Sequence, residues 1–208
     1  MPREPRVRLA EIVRELPRRA HKLSRSAVAE SQHWRMLEAV TEAVGKRGYA
    51  EASVAEIVDI AGVSRKTFYE HFRDKEHCFL TAFEVLSERV VEALVAEGAK
   101  HPAGKVRCRA QIAKYIDVLV RDPIAARVFN VDVLAAGDRA LDARERVNAS
   151  FGLAMFGRAV PAERRVAIIG GIHALSVAAL RDGDVGKLEQ LVEPVCSFIA
   201  SALGTPGR

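Results

Sequence analysis

Apolar residues recur along this chain at three- and four-residue intervals, the period of helices that each bury one face. The clearest short case is Val54, Ile57, Val58 and Ala61, one stripe over two turns. Leu37, Val40 and Val44 carry the same spacing in a helix expected over residues 26–47, closed by Gly48 after the basic pair Lys46 and Arg47. Phe68 and Phe72 lie four apart on a further short helix. Phe79, Phe83, Leu86, Val90 and Leu94 mark a longer one over 75–97, ended by Gly98 and Pro102. Beyond Gly104 the helical period continues over 105–120, 123–136, 138–160, 161–181 and 185–203. No strand-like alternation is sustained and no internal repeat appears, so the predicted fold class is all-α.

Two late segments depart from a simple surface helix. Residues 161–181 are apolar on nearly every face, with Gly170, Gly171 and Ala174 allowing close helix approach, so this helix must be covered on most sides. Its apolar run, 166–180, contains His173 and is shorter than the roughly 20 residues a membrane span needs, and it reads as a buried helix. The last segment has one stripe of Leu188, Leu191, Val192, Val195, Ile199 and Leu203, but Pro194 within it should kink the helix or shift its start.

The residues between the early stripes specify a tight turn. Ser53 followed by Glu56 forms a capping box for the helix at Val54. Gly62 tolerates the left-handed conformation that ends it, and Ser64 caps the next helix. There Phe68 and Phe72 anchor inward, which leaves a basic, hydrogen-bonding side. Arg65 and Lys66 can donate to guanine edges in a major groove, and Thr67 can meet a base edge or a phosphate. Tyr69, His71 and Lys75 suit phosphate contacts that fix register. With the two capping serines, the expected DNA-binding set is Ser53, Ser64, Arg65, Lys66, Thr67, Tyr69, His71 and Lys75.

The run AGVSRKTFYEHFRDKEHCF resembles the signature of TetR-family transcriptional regulators: a Gly, a capping Ser, a Phe-Tyr pair, His-Phe, and a Lys-Glu that opens the following helix. The resemblance covers about residues 31–83. It implies a helix-turn-helix DNA-binding domain of three helices, placed at 26–75, and a helical effector-binding and dimerisation domain at 76–208. It further implies a homodimer through the last two helices, a pseudo-palindromic operator in double-stranded DNA, and a repressor released by a small apolar effector. Members of that family often have a small residue where Lys66 stands, so a base preference does not carry over. An architectural or co-regulatory DNA-binding dimer without effector control is the alternative.

Charge sharpens this picture at the N-terminus. Residues 1–25 hold eight Lys or Arg against three Glu, as much excess as the formal +5 of the whole chain. Such a basic, flexible arm either lies along DNA or is simply solvated. It lacks the apolar core of a secretory signal, and a cytoplasmic location is expected, without membrane attachment. Cys78, Cys108 and Cys196 are widely separated and read as reduced, packed thiols.

Enzyme chemistry is not apparent. His71, His77 and Cys78 lie close in sequence, but His71 belongs to the signature and the adjacent His77 and Cys78 point to different sides of a helix, and Gly170-Gly171 lacks the strand and further glycine of a dinucleotide loop. No metal, cofactor or catalytic residue is expected. Tyr115, Phe129, Asn130, Phe151, Met155, Phe156 and His173 combine aromatic and thioether groups with isolated polar ones. That composition suits a pocket for an apolar ligand and equally an ordinary helical core. Of these, Tyr115, Phe129, Asn130, Phe151, Met155 and His173 are taken as the candidate pocket.

Overall fold

The computed structural model describes residues 25–181 and 185–204, and every regular element among them is helical. The basic arm expected at 1–25 lies, apart from Arg25, outside the described residues. Helices α1 (Arg25–Arg47), α2 (Val54–Ala61) and α3 (Arg65–His71) form an N-terminal head. Helix α4 (Lys75–Ala99) leads into α5 (Lys105–Arg121), α6 (Pro123–Asn130), a 3-10 turn (Asp132–Ala135), α7 (Asp138–Phe156), α8 (Ala162–Arg181), α9 (Val185–Glu189) and α10 (Val192–Ala202). No helix among the described residues is long and apolar enough to cross a membrane.

The predicted stripes become two apolar cores. One joins Met36, Val40 and Val44 of α1 to Ile57, Phe68 and Phe72, continues through Phe79 and Phe83 of α4, and ends on Val128 and Phe129 of α6 and Ala140 and Ala143 of α7. The other gathers Ile112 and Ile116 of α5, Ile168 and Ile172 of α8, Leu188, and Val195 and Ile199 of α10. The head is thus joined to the body twice: through α4, which belongs to both, and through α1 packed on α6. The second joint depends on Gly45, where any Cβ would run into Ile124 Cγ2.

Three boundaries differ from the sequence reading, each for a local reason. The segment expected as one helix over 123–136 divides at Asn130, whose side-chain amide donates to Ala126 O (2.7 Å), and the chain tightens into a 3-10 turn. The helix expected to reach residue 160 stops at Phe156, because Gly157 takes φ 67°. The last segment is two helices, with Pro194 as the third residue of α10, where a backbone N–H would have no intrahelical acceptor anyway. Of the two outcomes left open for Pro194, the shifted start is the one adopted.

Candidate nucleic-acid interface and internal cavity

The turn between α2 and α3 is held by its own capping groups. Ser53 Oγ accepts from Glu56 N (3.2 Å), Gly62 takes φ 61° with its N–H on the last carbonyls of α2, and Ser64 Oγ accepts from Thr67 N (3.0 Å). Helix α3 has seven residues, too few to persist unaided, so its position comes from packing. Phe68 and Phe72 supply it: both are buried, with ring centroids 5.6 Å apart, and Phe72 stacks on His33 of α1 at 5.1 Å.

That anchoring leaves Ser64, Arg65, Lys66 and Tyr69 on the outer face, and Tyr69, at 57% exposure, is conspicuous for an aromatic ring. Lys66 approaches Glu70 at 3.9 Å across one turn, an exposed pair too weak to withhold the ammonium from a phosphate or base. Thr67 is half-buried, its hydroxyl 2.9 Å from that of Ser64. His71 is half-buried beside His33, with ring centroids 5.7 Å apart. Ser53 is exposed at the start of α2.

Lys75 corrects the expectation of a phosphate contact. Its Nζ donates to Tyr49 O (2.6 Å) and Ala52 O (2.8 Å) and lies 4.5 Å from the Tyr49 ring centroid. An ammonium already given carbonyl acceptors and a ring face clamps the loop after α1 to the start of α4. Partial burial also lowers its pKa. Arg35 works similarly and was missed by the sequence reading: its guanidinium donates to Ala61 O at 2.9 Å, pinning the end of α2. The partners stand 26 residues apart in both clamps, and local spacing carries no sign of them.

Between the two cores lies a cavity of about 850 Å³, its open mouth included. It brings together all six candidate pocket residues, Tyr115, Phe129, Asn130, Phe151, Met155 and His173, while Phe156 packs outside it. Sequence reasoning did not find the contribution of α4 (Phe83, Leu86, Ser87, Val90 and Leu94) or that of Arg144 and Asn148 on α7. The α4 positions read only as a core stripe, and an arginine on an amphipathic helix reads as surface.

The lining is mostly apolar with a few convergent polar groups, the usual constitution of a small-molecule site. Tyr115 Oη lies 3.4 Å from Asn130 Oδ1, and burial raises the phenol's pKa. His173 is held neutral: burial first, then the charge of Arg144, lowers its pKa to about 4, against a backbone hydrogen bond to Asn130 that raises it. Its Nε2 and the Nε of Arg144 are both buried without a hydrogen-bond partner. Among the described residues no group of His, Cys, Asp or Glu is placed to hold a metal ion.

The His173 shift predicts a pH dependence of stability. The native ring stays neutral where the unfolded chain takes up a proton near pH 6.5, so native stability is full above 6.5 and falls as pH drops towards 4. The loss should be about 2–3 kcal/mol. Urea unfolding between pH 7 and pH 4 should show this decline, and H173Q should flatten that part of it. Equal slopes in the two proteins would show that His173 titrates normally.

A head with a capped helix-turn-helix and an exposed basic face, carried on a helical body with an internal cavity, is the architecture of a DNA-binding transcriptional regulator. Residues 36–89 match the model for bacterial regulatory proteins of the tetR family. That match covers most of the helix-turn-helix head and the first part of α4. The chain is 22% identical over 117 residues to the fatty acid metabolism regulator protein of Bacillus subtilis (strain 168), a match spanning 56% of this chain and 59% of that relative's length. It is 26% identical over 169 residues to the HTH-type transcriptional activator FasR of Mycolicibacterium smegmatis, covering 79% and 75% of the two chains. The solved structure of FadR from Bacillus subtilis in complex with stearoyl-CoA superposes with a TM-score of 0.67 at 18% identity, over 82% of this chain and 98% of that one.

Proposed function

We propose that this chain acts in the cytoplasm as a homodimeric repressor that binds a pseudo-palindromic operator and is released when an apolar, acyl-type effector fills the cavity. The observation that carries this reading is the sharing of helices between cavity and head. Phe83, Leu86 and Val90 line the cavity from α4, which also forms part of the head core, and Ala125, Ala126, Phe129 and Asn130 line it from α6, on which α1 is seated. A ligand that spreads α4 and α6 therefore moves the head relative to the body, and small helix shifts suffice to change half-site separation. Release requires the effector to bind the non-operator arrangement more tightly, by the same free energy in which DNA binding is weakened. The names of the relatives, with a bound stearoyl-CoA in one, make acyl compounds the first effectors to test.

On the head, Arg65, Lys66 and Thr67 are proposed to read bases, and Ser53, Ser64, Tyr69 and His71 to meet phosphates. The division of labour follows as 26–75 for DNA and 76–208 for ligand and dimer. Regulation rather than catalysis accounts for the exposed basic face and for the cavity together. The test is DNA affinity with and without an acyl ligand: weakening supports the reading, and indifference would leave an architectural dimer.

Dimerisation is proposed through α8 and α10. Ala167, Gly170, Ala174 and Ala178 expose a stripe of small residues along α8, and Phe198 of α10, partly exposed, packs against neighbouring Gly171. A Cβ at Gly170 would meet nothing within 4 Å, so G170R fits within one subunit but not against a second copy. Analytical ultracentrifugation should therefore show a dimer for the native chain and a folded monomer for G170R, with operator affinity lost. A G170R that remains dimeric would place the interface elsewhere.

A further inference from the structure

The cavity contains a cation that the fold leaves without a counter-ion. On α7, Arg139 pairs with Glu76 (3.6 Å) and Arg146 with Glu84 (2.7 Å), both carboxylates of α4. Arg144, between them in sequence, lines the cavity instead, and no Asp or Glu belongs to that lining. Its Nε is buried without a hydrogen-bond partner, and no ion pair reaches it from the described residues. The nearest polar groups do not replace a carboxylate. Tyr115 is engaged with Asn130, and His173 is neutral and feels the Arg144 charge as an unfavourable neighbour. A partly buried guanidinium with an unused donor is held against its desolvation cost, which a ligand anion would offset. Burial accordingly lowers the Arg144 pKa.

We infer that Arg144 receives a carboxylate, so that the effector is a free acid whose apolar chain occupies the Phe83, Leu86, Phe151 and Met155 side of the cavity. This inference rests on the reading of the cavity as the effector site. A guanidinium presents parallel N–H donors that match the two oxygens of a carboxylate. The lining supplies one cation, which balances one negative charge. A polyphosphate head would bring several charges to this single partner, and a thioester carbonyl would bring none to neutralise it.

The test compares myristate, tetradecanol and myristoyl-CoA, which share one chain and differ in the head, by thermal-shift titration of the full-length protein and of R144M and R144K. In the native protein the acid should bind about tenfold to a hundredfold more tightly than the alcohol, the worth of a charge-assisted hydrogen bond. In R144M that ratio should fall close to one, and in R144K it should be partly restored. The ratio is taken within each protein, so a general loss of stability in a variant does not imitate the result. An acid-to-alcohol ratio near one in the native chain, or one that survives R144M, would overturn the assignment. So would a thioester that binds more tightly than the acid and loses that advantage in R144M, since the anion would then be a phosphate. Binding of the chains without dependence on Arg144 would refute this inference alone, whereas no binding even of the alcohol would refute the apolar-effector reading beneath it.

Discussion

Phe68→Ala is expected to destabilise the head by about 3–5 kcal/mol, the usual cost of deleting a fully buried phenylalanine side chain, and to abolish operator binding at 25 °C. Phe68 is 0% exposed and packs against Phe72. It is also the inward anchor of a seven-residue helix that has no stability of its own. The cavity left behind cannot be refilled without moving α3, and a displaced α3 misplaces Arg65, Lys66 and Thr67 together. Phe68→Leu, which keeps much of the volume, should cost markedly less. Urea unfolding and DNA-binding titrations on the same preparations check both outcomes. A Phe68→Ala protein with native stability and native DNA affinity would mean that α3 is positioned by something other than its aromatic anchors.

Arg65→Ala is expected to give the opposite combination, with unfolding unchanged and DNA affinity lost. Arg65 is exposed at the first position of α3, and no described protein group depends on it for packing. A base contact of this kind is worth about 1–3 kcal/mol per half-site. The proposed dimer would lose it twice, so the expected drop in affinity for a full operator is on the order of 30-fold to 10⁴-fold. Discrimination should relax at the contacted base pair in both half-sites, whereas Tyr69→Phe should weaken all sequences alike. Competition binding against operators varied one position at a time measures this. Uniform weakening by Arg65→Ala would move that residue from base reading to phosphate contact.

The contrast between these two residues shows what could be read from the chain before its structure. The period of apolar residues located the helices, and Ser53, Gly62 and Ser64 located the turn, because stripes and caps act over three or four residues. The break after Asn130 was not legible: a side-chain bond back to Ala126 competes with helix continuation at a residue that elsewhere sits within helices. Arg35 was missed and Lys75 misassigned because their acceptors are backbone carbonyls more than twenty residues away, and a basic side chain gives no local sign of such a partner. In the body, aromatic and thioether residues marked the cavity wall, but α4 contributed residues indistinguishable from core, and Arg144 looked like any surface charge. What separates Arg144 from Arg146, two positions on, is only the direction each faces on α7, and that follows from how α7 packs on α4.

Occupancy of the cavity and reading of DNA are proposed to exclude one another. The most direct test incubates the protein with sheared DNA from its source organism at near-physiological salt, with and without myristate or myristoyl-CoA, and sequences the bound fragments. The predicted result is a small set of fragments sharing an inverted repeat, with half-sites separated by about one helical turn or a multiple of it, recovered without ligand and lost when myristate is present. Fragments without a shared repeat, or a shared repeat whose recovery neither compound changes, would contradict it.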